Sequence, residues 1–437
     1  MRGKICVALS LALGFMLSCK TSTSKVSETD LNASKGLLSL NDISILIPLH
    51  LVPAFRDPLP HLTGKGEQEA FAPSWLGQDI ARIQNEETEA RAKLRPFDFN
   101  GTIPKLSENF DAFRLVAVRI DPCANIRTAK ATPEGCIPQL RIVWQRLFNT
   151  APRDTATATE AGPFSRAEDA AVHTVYQLSP ADLQSILSQL REMHKNASVD
   201  TRGLPLQVHP VLAKEGIESP YFKGLLAIVG RFARASQMTH VSHFSAISNG
   251  NVWQMTLFEI KDGQALRHEI PATLPRTDKG SMQVQTLRRE PNDRNLIVSP
   301  MTSSPFVLFE PIDFRADDAT REAQEESMDR RMIANIAAIE NPTLHDATNI
   351  DCGSCHRALG TFAFAQDREM KKKGKLETPP LAYQSKTQNL SFTVNPFLLD
   401  FTGPWSLQMF SYFGSQPKIT PRVINETAEA LDFLDRP

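Results

Sequence analysis

The chain is poor in aromatic side chains and in net charge: of 437 residues only 7% are Phe, Trp or Tyr, and 48 basic residues face 49 acidic ones. With both signs interspersed, this balance excludes a broad cationic face, so no nucleic-acid partner is expected. After residue 19 no apolar run approaches the roughly 20 residues that a membrane-crossing helix needs. Gly-x-Ser-x-Gly, His-Glu-x-x-His and a phosphate-cradling glycine loop are all missing, which removes the commonest esterase, zinc-protease and nucleotide-binding signatures. The 30 prolines punctuate loops without a period, so a repeat array is excluded as well. Cysteine is scarce, with six in the chain, and its placement carries most of the information.

Two of the six stand in Cys352-Gly353-Ser354-Cys355-His356, the attachment signature of c-type haem. Two thiols a turn apart reach the two vinyl groups, and the next residue, His356, supplies the proximal nitrogen to iron. At this chain's composition the pattern arises by accident with a frequency of roughly 0.002. A redox dithiol, a disulfide or half of a zinc site are the other readings of Cys-x-x-Cys. Zinc needs a second ligand pair nearby, and a thioredoxin-like motif needs a strand leading into it. The approach here, Asn341-Pro342-Thr343-Leu344-His345-Asp346, is polar and carries a proline.

The first 18 residues resemble a bacterial lipoprotein signal: Arg2 and Lys4, an apolar stretch from Ile5 to Leu17, then Ser18 before Cys19. The resemblance implies that Cys19 becomes the lipidated first residue and that Cys6 is lost with the peptide. Export agrees with haem attachment, which takes place outside the cytoplasm. The expected location is a membrane surface facing the periplasm, with Lys20 resembling the outer-membrane sorting class; plain secretion to the periplasm is the other reading. Residues 19–36, rich in Ser, Thr and Lys, read as a flexible tether. Cys123 and Cys136 then remain, and in an oxidising compartment they are expected to pair.

Residues 37–316 read as a large α+β domain, because strands and helices come in irregular order. Leu37 to Leu51, Phe113 to Ile120, Leu140 to Trp144 and Ala171 to Leu178 are strand-like. Ser179 followed by Pro180 and Asp182 opens a helix whose inner face holds Leu183, Ile186, Leu187, Leu190 and Met193. A second helix spans about 219 to 235. Asn249-Gly250 then turns a hairpin between Met238 to Ile247 and Val252 to Ile260. His240 and His243 have metal-like spacing, but three residues apart on a strand they face opposite ways. His173 and His209 are lone and read as ordinary core histidines. No activity is legible in this region.

Residues 317–437 resemble a class I cytochrome c, a small and mostly α-helical fold. A helix from about 318 to 340, with Met328, Met332, Ile336 and Ile339 inward, opens it, and Pro421 to Leu434 closes it. The resemblance implies one covalent haem c on Cys352, Cys355 and His356. For the sixth ligand it points to Met409, among Phe397, Phe401, Trp405, Phe410, Tyr412 and Phe413. Met370, His345 and an open iron are the alternatives. Lys371-Lys372-Lys373-Gly374-Lys375 is either a solvated loop or a docking patch for an acidic redox partner. A long N-terminal region with a terminal haem domain also resembles uncharacterised lipoproteins of predatory and gliding bacteria, which implies no activity. Three function classes follow. The first is electron transfer with a periplasmic or membrane redox protein. The second is an enzyme or gas sensor with an open distal site, and the third a binding lipoprotein with a passenger haem.

Overall fold

The computed structural model describes residues 37–49, 59–63, 71–94, 110–124, 136–148, 166–247, 252–268, 282–289, 296–298, 334–345, 352–356, 358–359 and 407–435, with isolated positions between them. The signal and tether residues, Met370, the lysine run 371–375, and Phe397, Phe401 and Trp405 lie outside this set.

The centre of the molecule is one antiparallel sheet. Its strands are β1 (Ser44–Leu46), β2 (Phe113–Asp121), β3 (Gln139–Phe148), β4 (Arg166–Ala167), β5 (Ala170–Gln177), β6 (Met238–Ile247), β7 (Val252–Lys261), β8 (Gln264–Arg267), β9 (Met282–Arg289) and β10 (Leu296–Val298). Neighbours run in the order β1-β2-β3-β5-β6-β7-β9-β10, with β4 beside β3 and β8 beside β7. The chain is therefore α+β, with helices set around an antiparallel sheet.

Strand alternation gives the sheet two unlike faces. Trp144, Tyr176 and Phe258, all fully buried, share one face with Thr174, which accepts a hydrogen bond from Trp144 Nε1 at 2.8 Å. Residues 71–94 cover that face: the Phe71 ring lies 5.2 Å from Trp144, and Tyr176 donates to the Phe71 carbonyl. Helix α2 (Leu76–Leu94) sends Gln84 to hydrogen-bond Thr256 there.

Between β5 and β6 come α3 (Pro180–Lys195), α4 (Pro210–Glu215) and α5 (Pro220–Phe232). Ser179 caps α3 with the Asp182 backbone and side chain as its partners, and the expected inner residues of α3 from Leu183 to Leu190 are buried. This insertion packs on α1 (Leu40–Ile43), where His194, Thr201 and Tyr221 converge on buried Asp42. The stretch read as one strand from Leu37 thus starts as a helical turn. Ser39 and Asp42 form a capping box, a local signal that outweighs the β-prone Leu and Ile residues around it. Cys123 and Cys136 are joined by a disulfide across the loop between β2 and β3, with Cα atoms 4.6 Å apart.

The second face of the sheet carries the C-terminal residues. Helix α6 (334–340) ends at Asn341, α7 spans 352–356, and α8 is Pro421–Leu434. Between them lies a hairpin, β11 (Phe410–Phe413) and β12 (Gln416–Ile419), turned at Gly414 with φ +57°. A mostly helical region had been expected here. The aromatics at 410, 412 and 413 instead belong to a strand, in which Phe410 and Tyr412 are buried in one continuous core with the sheet.

α8 holds this layer together. Ser44 and Thr427 hydroxyls meet at 2.7 Å, and Arg119 on β2 pairs with Glu426. Arg422, 3% exposed, donates to the carbonyls of Ile339 and His345 and to Glu426. Asn425 donates to the Glu340 carbonyl. The fully buried Gln145 on β3 donates to the Tyr412 carbonyl and accepts from the Tyr412 N–H, both at 2.9 Å, so one side chain splices the hairpin to the sheet.

Candidate haem site

Cys352, Cys355 and His356 all lie on α7, and both cysteines are half-buried thiols with no disulfide between them. His356 follows Cys355 directly, so its ring leaves the helix one turn on from Cys352. Its Nδ1 donates to the Leu407 carbonyl at 2.6 Å. That bond fixes the tautomer and leaves Nε2 as the lone-pair nitrogen, the arrangement in which a histidine presents a ligand to a metal. Burial lowers the His356 pKa, and the Leu407 carbonyl partly offsets it, so the imidazole is neutral in the physiological range.

The opposing wall comes from the sheet. In register, Ala171 stands opposite Phe244 and His173 opposite Ser242, which puts His173 and Phe244 on the face that receives the C-terminal layer. The Phe244 ring centre lies 5.3 Å from His356, and the His173 ring 6.4 Å from it at an interplanar angle of 53°. His173 and Phe244 are 6.3 Å apart, edge to face. Burial, then the neighbouring His356, pushes the His173 pKa down to about 3.

The other predicted residues are distributed as follows. Met409 is half-buried against the core, two residues after Leu407, and its carbonyl accepts from the Thr420 N–H. His345 is buried beside α8, with its carbonyl held by Arg422. His240 and His243 fall on opposite faces, His240 5.3 Å from His268 and His243 against Phe110 and Phe113. His209 caps α4 by accepting from the Leu212 N–H. Among the described residues no cluster of three His, Cys, Asp or Glu side chains is poised around an ion, and no helix is long and apolar enough to cross a membrane. A cavity of about 530 Å³ lies elsewhere, around Arg191, His194 and Arg202.

The residues that fit a haem are therefore two thiols one turn apart, an imidazole with a directed nitrogen, and a ring-lined wall. No family model, curated protein or solved structure matches the chain. The site rests on its own geometry. The sequence reads His173 as an ordinary core histidine and gives no signal for Phe244 or the Leu407 carbonyl, because these meet His356 only when distant segments come together on one sheet face.

Proposed function

We propose that this chain is an exported electron carrier with one covalent haem c, anchored by a lipid on Cys19 at a periplasm-facing membrane surface and exchanging electrons with a periplasmic or membrane redox protein. The observation that carries the reading is the His356 Nδ1–H bond to Leu407, one residue beyond two cysteines at haem-attachment spacing. Bound haem supplies a one-electron couple. Cys352 and Cys355 tether it, His356 orients toward its iron, and the Leu407 carbonyl holds that imidazole in place. The sheet wall of His173 and Phe244 keeps bulk water from one side, and Gln145 keeps the segment carrying Leu407 in register with the sheet.

The test is the full chain expressed in a host with haem-attachment machinery. The expected result is a mass increase of one haem that survives denaturation, together with a reversible c-type visible spectrum. Cys352→Ser with Cys355→Ser is expected to abolish both. A protein that folds without covalent haem under these conditions removes the proposal and turns attention to a dithiol. Carbon monoxide binding to the reduced protein would instead favour an open-iron sensor or enzyme.

A further inference from the structure

We propose that the cavity beside α3 binds a small phosphate ester, held by Arg191, Lys195 and His194. The inference goes beyond the haem reading and does not depend on it. The cavity measures about 530 Å³ and is lined from three stretches of chain: Leu37 ahead of α1, one face of α3 with the residues just after it, and Asp200 with Arg202 in the loop that follows. Small-molecule sites span roughly 300–1,000 Å³, so there is room for an organic group as well as a phosphate.

The charges on the lining are unevenly matched. Asp200 accepts from Arg202 Nε at 2.9 Å and Nη2 at 2.6 Å, and Glu192 accepts from Asn196 at 2.7 Å. Arg191 and Lys195, a turn apart on α3, have no carboxylate partner among the described residues. The Arg191 Nε is shut off from water and makes no hydrogen bond, which costs free energy until an acceptor reaches it. Burial also lowers the Arg191 pKa, with no neighbouring acid to offset it. His194 adds a third donor. Its Nδ1 is 2.9 Å from buried Asp42, a carboxylate that also receives Ser39 and Tyr221, so the imidazole is held in orientation. Its Nε2 is 3.6 Å from Asp200 Oδ1, beyond hydrogen-bonding reach, so one ring N–H remains for a ligand. A single guanidinium fork matches a planar carboxylate. Donors from three side chains suit a tetrahedral anion with several acceptor oxygens, which selects phosphate.

Two sources carry that chemistry, a soluble phosphate ester and a phospholipid headgroup. Leu37, 43% exposed, lines the cavity and is the first described residue after the segment that leads from Cys19, so the cavity stands where the proposed lipid anchor joins the fold. The headgroup source rests on that anchor; the soluble one does not.

The deciding experiment is titration calorimetry and vesicle co-sedimentation of the full chain carrying Cys19→Ser, so that no lipid anchor brings it to a membrane. Glycerol 3-phosphate is the soluble probe, glycerate its carboxylate counterpart and phosphatidylglycerol vesicles the membrane probe, all at one ionic strength. Saturable binding of glycerol 3-phosphate is expected, weakened at least about tenfold by Arg191→Gln or by Lys195→Gln. Arg82→Gln, which removes a charge from α2 outside the cavity lining, is expected to leave binding unchanged. Lys195 is exposed, so its variant keeps the test open if Arg191→Gln disturbs the fold, which circular dichroism checks. Binding to the vesicles alone, with the same dependence on Arg191 and Lys195, assigns the site to the headgroup. Binding of neither probe overturns the proposal. So does glycerate held as tightly as glycerol 3-phosphate, or a loss with Arg82→Gln as large as that with Lys195→Gln.

Discussion

Replacing Gln145 by Met keeps the length of a fully buried side chain while deleting its amide. In the native protein that amide satisfies both the N–H and the C=O of Tyr412, each at 2.9 Å, and also reaches the Glu168 carbonyl at 3.2 Å. The variant leaves the two Tyr412 backbone groups without partners in a site that water does not enter. Each such group costs about 1–3 kcal/mol, so the expected destabilisation is about 2–6 kcal/mol. For a chain of this size about 2 °C of midpoint is lost per kcal/mol, which gives a fall of about 4–12 °C. Thermal unfolding followed by far-ultraviolet circular dichroism measures it. Arg82→Ala is the control: Arg82 bridges Asp79 and Glu86 on the exposed side of α2, and its loss is expected to leave the midpoint unchanged. A Gln145→Met midpoint within 2 °C of wild type, on the scale just used, would refute the idea that this side chain splices the hairpin to the sheet. If the idea holds, the loaded variant also shows a disturbed haem spectrum, because Tyr412 belongs to the same segment as the Leu407 carbonyl.

Removing the Cys123–Cys136 disulfide by a double Ser substitution frees a loop of 12 intervening residues and is expected to cost about 3 kcal/mol on the chain-entropy estimate. Guanidinium unfolding of the variant against the oxidised parent measures this; equal midpoints would mean the loop is already ordered without the bond. The Asp42–His194 pair predicts a pH dependence. Its atoms are 2.9 Å apart; burial acts to raise the Asp42 carboxyl, but His194 and Ser39 more than offset this and hold it below 3.8, while the hydrogen bond to Asp42 raises His194 above 6.5. The contribution of the raised His194 is complete below its unfolded value and is lost as pH climbs through its folded one; that of Asp42 is lost as pH falls below 3.8. His194→Gln is therefore expected to lose more stability between pH 3.8 and 6.5 than at alkaline pH relative to wild type, the raised His194 being charged in the first range and losing its proton as pH climbs. A deficit that does not change between the two ranges would show that the pair is not charged as described.

Local signals account for much of the fold. Ser179-Pro180 with Asp182 opened a helix where expected, and the Pro421–Leu434 helix has its predicted bounds. The strands around 113–121, 139–148 and 170–177 follow from β-branched alternation, which a short window can detect. Two errors show the reverse. The Ser39 capping box lies in a stretch whose apolar neighbours dominate the window and read as strand, and the 410–419 hairpin lies where a mostly helical fold is expected.

The sequence by itself singled out Cys352-Gly353-Ser354-Cys355-His356, since a five-residue motif on one helical turn needs no tertiary context to be legible. It also singled out Cys123 and Cys136, the pair that the fold bridges, as the two cysteines left over once the motif and the first 19 residues are set aside. What only the tertiary structure decided is what meets that motif. His173 and Phe244 come from β5 and β6, Leu407 from the start of the hairpin segment, and Arg422 from the last helix. Their convergence depends on strand register and on which face of the sheet the C-terminal layer covers. A one-residue slip would turn His173 to the opposite face, and no local stretch of sequence encodes that choice.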